Sequence, residues 1–367
     1  MKTAVVHDWL NGMRGGEKVL EALLPLVPEP TIFTLFHVRG SVSKDIERFP
    51  IRVSFLNRLP FSRRGYRNYL PLFARAVDSF DLSGFDLVVS SSHCVAKGAI
   101  ARTGAPHLCY CHTPVRYAWD QLDVYFPPGG LASAVKRHFA LRLRDWDRAT
   151  AGRPTRYLAN SNAVAERIRR QYGREATVCH PPVDVSFFTP GPVVRGDFLL
   201  AVGALVPYKR FDQAIDAAAS LGRRLVVVGR GPEEKRLRAR AGSSVEILAD
   251  RMPEDLRDLY RTCAAFVQPG EEDFGIAAVE AQACGAPVVA LGRGGVLDSV
   301  EDGRTGVLFE EASGLARAIE RAGRLDFDSK ALRASALRFS PERFRDAFSQ
   351  ALAELVPDKR PETASKG

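Results

Sequence analysis

Long apolar runs are missing from this 367-residue chain. No stretch approaches the ~20 consecutive apolar residues of a spanning helix, so no transmembrane segment is expected. The opening MKTAVVHDWL lacks both a long apolar core and a small-residue cleavage site, so no signal peptide is expected either. Cysteine is sparse. Of the six, Cys94, Cys179, Cys263 and Cys284 are isolated, and Cys109-x-Cys111-His112 has no second ligand pair near it. A disulfide scaffold and a structural zinc site are not expected, and a reducing cytoplasm is the default compartment. A G-x-G-x-x-G fingerprint, zinc-finger spacing, an RNP-like aromatic strand and a long basic tract are also absent. No nucleic acid is therefore expected as partner. The net charge of +9 still asks for an anionic one: a nucleotide-sugar or a lipid headgroup.

The length exceeds what one hydrophobic core usually serves, so two domains are expected. The most informative stretch is QPGEEDFGIAAVEAQACGAPVVA, residues 268–290. An apolar run ends at Pro269-Gly270, an acidic loop follows, and Ile276, Val279 and Ala283 fall at helical spacing. Gly285-Ala286-Pro287 then stops the helix before a second apolar run. The order is strand, loop, helix, strand. Glu272 stands before the helix and Glu280 within it, seven residues between them. Acids so placed sit at the mouth of an α/β sheet, where ligands bind. The plain alternative is two solvated glutamates.

Glu272-x7-Glu280, with Phe274-Gly275 after the first acid and Ala281, Gly285 and Pro287-Val288 after the second, resembles the signature of the retaining glycosyltransferases of family four. The resemblance implies an α/β chain of GT-B architecture: two Rossmann-like domains face each other across a cleft, and a C-terminal helix crosses back to the first. Composition shifts place the domain boundary at 188–189, and the resemblance makes 1–188 the acceptor-side domain and 189–340 the nucleotide-sugar-binding domain. The crossover helix is expected at 341–356 and a flexible tail at 357–367.

Residues 3–24 read as strand, glycine loop and helix. Gly15-Gly16 would let a ligand approach free N–H groups at a helix N-terminus, or else form an ordinary turn. In the resembled family a glycine pair here faces the donor phosphates and the transferred sugar. His112 closes a strand and is followed by Thr113-Pro114, placed either to bond into the cleft or to pack in the core. The resemblance puts a histidine here beside the sugar. The run His112-Thr113-Pro-x-Arg-Tyr-x-Trp-Asp looks like bacterial O-antigen and exopolysaccharide mannosyltransferases. Lys209 and Arg210 precede a helix and suit a diphosphate clamp, or an exposed basic turn. In the family the Lys209 position binds the donor diphosphate. An arginine usually follows the glycine at the place of Ala204, and Arg210 is the candidate replacement.

The resemblance therefore assigns His112, Glu272 and Lys209 to catalysis. Gly15, Gly16, Lys209, Arg210, Phe274 and Gly275 would hold the donor diphosphate and sugar, and Glu280 the ribose. Gly229, Arg230, Asp250 and Met252 would line the base pocket. Basic residues interleaved with aromatics mark an acceptor or membrane surface: Arg58, Arg63, Arg64, Tyr66, Arg116, Tyr117, Arg137 and Trp146. Asp145-Trp146-Asp147 is read as a solvated pair within a helix, with no metal required. The expected activity is transfer of a hexose, mannose from GDP-mannose, to a polyprenyl-diphosphate-linked glycan at the inner face of the membrane. A UDP-sugar with a soluble acceptor is the alternative. A non-catalytic nucleotide-sugar-binding protein stands behind both.

Overall fold

Thirteen short strands alternate with helices, as the pattern of apolar runs requires. The computed structural model describes residues 1–356 apart from Phe61, Val193 and Asp250, and of Arg63 and Arg64 the backbone alone. The 357–367 tail lies outside the described residues.

The first sheet holds β1 (Thr3–Leu10), β2 (Pro30–His37), β3 (Ile51–Val53), β4 (Leu87–Ser92), β5 (His107–Cys111), β6 (Arg156–Ala159) and β7 (Ala176–Val178). Its order is β3-β2-β1-β4-β5-β6-β7. The second holds β8 (Leu199–Val202), β9 (Leu225–Val228), β10 (Val245–Leu248), β11 (Ala265–Gln268), β12 (Val288–Leu291) and β13 (Gly306–Phe309), in the order β10-β9-β8-β11-β12-β13. Every pairing is parallel. Helices cover both faces, so the central strands are apolar runs rather than alternating ones: Leu-Val-Val-Val in β9 is buried throughout. Strand order reverses between β1 and β4 and again between β8 and β11. In such sheets the crevice beyond the strand ends at the reversal is where ligands bind.

Two cores flank the second sheet, and two large clusters and one smaller cluster pack on the first. Val183, Val185 and Phe188 already pack with the second domain's core. The final helix, Pro341–Leu355, returns to the first: Phe344, Phe348 and Ala351 pack against Val19, Leu20 and Leu23. Each buried phenylalanine there contributes on the order of 2 kcal/mol. The two crossings are tied together, since Val183 N–H donates to Phe339 O at 2.9 Å. Among the described residues no helix is long and apolar enough to cross a membrane.

Candidate functional site

After β8 the chain makes a tight loop to the Phe211–Ser220 helix, and Lys209 sits at its end. The β11 loop presses directly on it. A Cβ at Gly270 would stand 2.3 Å from Tyr208 O and 2.7 Å from Lys209 Cα, so only glycine fits. That approach brings Lys209 Nζ to 2.5 Å from Glu272 Oε1. Arg210 departs from the expected clamp. It takes a left-handed backbone (φ 54°) at the helix cap, and its guanidinium lies against Gln213 in the helix. There it lines an interdomain groove of about 750 Å³ with Arg116, Tyr208 and Glu271, a lining that includes neither Lys209 nor Glu272. The Arg210 guanidinium is thus engaged by Gln213 at the helix start, while Lys209 is engaged by Glu272.

Gly275 adopts φ 91° and caps the Ile276–Ala283 helix, leaving that helix N-terminus without a side-chain cap. Glu280 lies within this helix and is 5% exposed. Its Oε2 accepts from the Tyr260 hydroxyl at 3.0 Å, and its Oε1 lies 3.2 Å from Lys18 Nζ of the first domain. Burial, and then the Glu280 charge, pushes the Tyr260 phenol well up, so it stays a donor. The Phe274 ring is not in the cleft. It packs between His180 and Phe339, 5.5 Å and 5.2 Å between ring centres, because an aromatic at a helix entry has a core to fill. Only its backbone can meet a donor.

Across the cleft, Gly15 and Gly16 form the first turn of the Gly15–Leu23 helix. A Cβ on Gly15 would reach within 3.0 Å of Ile276 Cδ1, so two helix N-termini, one per domain, converge here. Their unpaired N–H groups favour an anion. Gly16 lies against His7 and His112, with a hypothetical Cβ 3.8 Å and 3.9 Å from their rings. His112 Nε2 lies 2.8 Å from Ser91 Oγ. Burial, and then the neighbouring His93 and His7, holds the His112 ring well below the usual histidine range, so it is neutral at neutral pH.

Sequence reasoning missed the groups behind His112. Ser91 Oγ also meets His7 Nδ1 at 3.1 Å, and His7 Nε2 faces Glu17 Oε1 at 3.7 Å. Glu17 accepts from Arg14 N–H at 3.0 Å, which fixes its carboxylate at the helix entry. Asp8, fully buried, accepts four backbone N–H groups from residues 93–96 and thereby shapes the loop carrying His93. The available signal was an Asp and a His inside an apolar strand, at odds with a plain core strand.

The surface assigned to acceptor or membrane is largely redistributed. Tyr66 is buried against Trp9 and Phe36. Tyr117 packs on the first-domain core with its hydroxyl at Cys94 Sγ. Trp146 fills the space above Gly98, where a Cβ would come within 2.3 Å of its ring. Asp147 is not solvated: it is fully buried with Lys97 Nζ at 3.1 Å, Trp119 Nε1 at 2.9 Å and Tyr172 OH at 2.8 Å. These large side chains were needed to close the core below the sheet, which an unplaced amphipathic pattern cannot reveal. Arg116 turns into the cleft, donating to Glu271 O at 3.1 Å and stacking on Tyr208. Arg137 bonds Phe126 O at 2.8 Å and Asp123 Oδ1 at 2.5 Å. Arg58 remains exposed, as do Leu131 (83%) and Val135 (48%) at the start of the Gly130–Ala149 helix.

Gly229 and Arg230 follow β9, and Met252 follows β10 and is 67% exposed. Asp250 and the Arg63 and Arg64 side chains lie outside the described residues. A second missed feature is the interdomain latch. Arg167, 5% exposed, reaches Asp273 at 2.5 Å, Glu271 at 2.9 Å and Asp120 at 2.9 Å, and Ser161 Oγ donates to Asp273 O. Among the described residues no group of three His, Cys, Asp or Glu side chains is placed to hold a metal ion.

Residues 186–336 match the profile described as "Glycosyl transferases group 1", and residues 29–187 the one described as "Glycosyltransferase Family 4". A D-inositol 3-phosphate glycosyltransferase of Acidothermus cellulolyticus is 35% identical over 188 residues, 42% of each chain. One from Nocardiopsis dassonvillei is 35% identical over 243 residues, 57% of this chain and 54% of that protein. The chain spans about half the length of the curated relatives it matches. Anabaena Alr3699/HepE in complex with UDP-glucose superposes with a TM-score of 0.72 at 20% identity, covering 97% of this chain and 100% of that one. Sucrose-phosphate synthase from Thermosynechococcus elongatus gives 0.73 at 17%, covering 97% and 99%. Identities this low show the shared fold.

Proposed function

We propose that this GT-B-fold chain, whose two halves match the family 4 and group 1 glycosyltransferase profiles, is a retaining hexosyltransferase taking mannose from GDP-mannose. The acceptor we infer is a hydroxyl of a polyprenyl-diphosphate-linked glycan. One observation carries this reading: Lys209, Glu272 and the Gly15-Gly16 turn follow the strands at which the two sheets reverse order, Glu280 lies in the helix after β11, and His112, just past β5, meets Ser91 of β4 beside that turn.

In this reading the C–O bond between the anomeric carbon and the diphosphate breaks. A bond to the acceptor oxygen forms on the same face, and the acceptor's proton passes to the departing phosphate. Lys209 and the two helix N-termini stabilise charge growing on that phosphate. Glu272 holds sugar hydroxyls, Glu280 the ribose, and His112 orients the sugar. Gly229, Arg230 and Met252 border the base. The exposed Leu131 and Val135, beside Lys136 and Arg142, suit contact with an anionic inner membrane face.

A second reading is a UDP-sugar with a soluble acceptor: the relatives are named for D-inositol 3-phosphate, and a structural neighbour is in complex with UDP-glucose. A donor panel separates the two. GDP-mannose should raise the melting temperature and yield a product heavier by one hexose. Turnover of UDP-sugars alone would select the second reading, and binding without turnover would reject both. Sedimentation with anionic liposomes tests the membrane part, which no preference for anionic lipid would remove.

A further inference from the structure

Behind His112 stands an unbroken file of polar groups drawn from four separate segments. Glu17 Oε1 is 3.7 Å from His7 Nε2, His7 Nδ1 is 3.1 Å from Ser91 Oγ, and Ser91 Oγ is 2.8 Å from His112 Nε2. His7 and Ser91 are 1% and 0% exposed, and Glu17 2%. The first separation is too long for a hydrogen bond and suits an ion pair. His7 Nε2 is otherwise a buried nitrogen without a hydrogen-bond partner, a cost that a charge opposite Glu17 offsets.

We propose that Glu17, His7 and Ser91 are positioning residues that set the tautomer of His112, so that the charge on His7 decides whether His112 offers its ligand a proton or a lone pair. The proposal rests on the glycosyltransferase reading only for the nature of that ligand. Hydrogen-bond directions follow from the inventory of each group. A hydroxyl has one proton to give. When His7 is a cation, both its nitrogens donate, Nε2 toward Glu17 and Nδ1 to Ser91 Oγ. Ser91 must then donate to His112 Nε2, and the neutral His112 carries its proton on Nδ1. When His7 is neutral, the Glu17 carboxylate keeps the remaining proton on Nε2. His7 Nδ1 then accepts from Ser91, Ser91 accepts from His112 Nε2–H, and His112 Nδ1 presents a lone pair. That Nδ1 has no protein partner among the described residues, which leaves it to a ligand.

Other charges around His7 are few. Glu17 faces it from the Gly15–Leu23 helix. His93 lies 6.0 Å from it, ring to ring, and is held 3.3 Å from the buried Asp8 carboxylate. Burial keeps the His93 ring below its usual range, and Arg14 works in the same direction. His112 is itself held neutral by burial. A neutral ring has one proton on one of two nitrogens, the condition under which a relay can choose between them.

The test is 15N–1H correlation of the ring nitrogens in the full chain labelled at histidine, titrated between about pH 5 and pH 8, where an imidazole charge changes. His112 and His7 are assigned from the spectra of His112→Gln and His7→Gln. His112 should stay neutral throughout yet exchange its proton from Nδ1 to Nε2 as pH rises, with the midpoint of the His7 transition. Ser91→Ala should abolish the exchange while His7 still titrates. Glu17→Gln should move the exchange to lower pH, because the ring cation loses the anion opposite it. A constant His112 tautomer while His7 titrates overturns the proposal, and so does a His7 that never titrates in this range. Once the two rings are assigned the wild-type titration decides, so Ser91→Ala or Glu17→Gln failing to fold does not blunt it. No donor is present, so the outcome is independent of whether the chain transfers a hexose.

Discussion

Lys209 Nζ and Glu272 Oε1 lie 2.5 Å apart, on loops that follow β8 and β11, the two strands at which the second sheet reverses order. Both side chains are mostly shielded, 18% and 15% exposed. In the proposed function, a diphosphate entering here would compete with Glu272 for the ammonium and free the carboxylate for sugar hydroxyls. Lys209→Ala should therefore lower kcat by about 100- to 1000-fold, the usual effect of removing one donor to a developing oxyanion. Glu272→Ala should fall as sharply. Steady-state release of nucleotide measures both, and near-normal turnover in either variant removes that residue from its role.

Gly16→Ala separates binding from folding. The added methyl meets His7 and His112 at ordinary contact distance, 3.8 to 3.9 Å. Alanine in a first helical turn favours the helix by up to about 1 kcal/mol. The melting temperature should hold or rise slightly, while affinity for a nucleotide-sugar falls at least ~10-fold, or ~1.4 kcal/mol. Equal affinity in the two proteins would mean no ligand approaches that turn.

Much of the framework was legible in the sequence. Glu272 and Glu280, Gly15-Gly16 and the closing helix announce themselves through local rules: strand-loop-helix punctuation, glycine at close approaches, and helical spacing. The fold follows because parallel sheets require their crossover helices. What stayed hidden depends on residues far apart in sequence. Arg116 reads as a surface cation until Glu271, 155 positions later, accepts its hydrogen bond. Trp146 reads as an amphipathic surface residue until Gly98 opens the space it fills. Arg210 looks like part of a clamp until its left-handed backbone turns it to Gln213. Tyr66, Tyr117 and Asp147 share this cause: composition gives a residue's chemistry, and only the packed neighbours decide whether it meets water.

Arg167→Ala should loosen the contact between domains. The guanidinium serves Asp273, Glu271, Asp120 and Thr113 at once. Its carboxylate partners keep 23% to 38% exposure, so the loss is set below the range for a fully buried pair, at about 2 kcal/mol. Urea unfolding should show it, and Arg167→Lys should not restore it, since a point charge cannot replace the planar fork. An unchanged midpoint in Arg167→Ala would show that the latch adds nothing to stability.

His107 predicts an acid sensitivity. It is 1% exposed with Nε2 2.8 Å from Ser90 Oγ. Burial, and then the charges of Lys97 and Arg153, pushes its pKa down from 6.5 to about 3. Between those values the unfolded chain takes a proton that the folded chain refuses. Stability therefore rises with pH across the window and is lost as pH falls from 6.5 toward 3, by up to ~1.4 kcal/mol per pH unit from this group. His107→Gln should flatten the dependence of the urea midpoint on pH between those limits. An identical slope in the variant would assign the acid response elsewhere.

In the proposed function the interdomain cleft grips a nucleotide-sugar by its diphosphate, through Lys209 and the two helix N-termini. Titration calorimetry of the full chain with GDP-mannose in EDTA measures that grip directly. Saturable one-to-one binding is expected in wild type, weakened at least ~10-fold in Lys209→Ala, a loss of ~1.4 kcal/mol. No heat of binding in wild type, or equal affinity in Lys209→Ala, would contradict it.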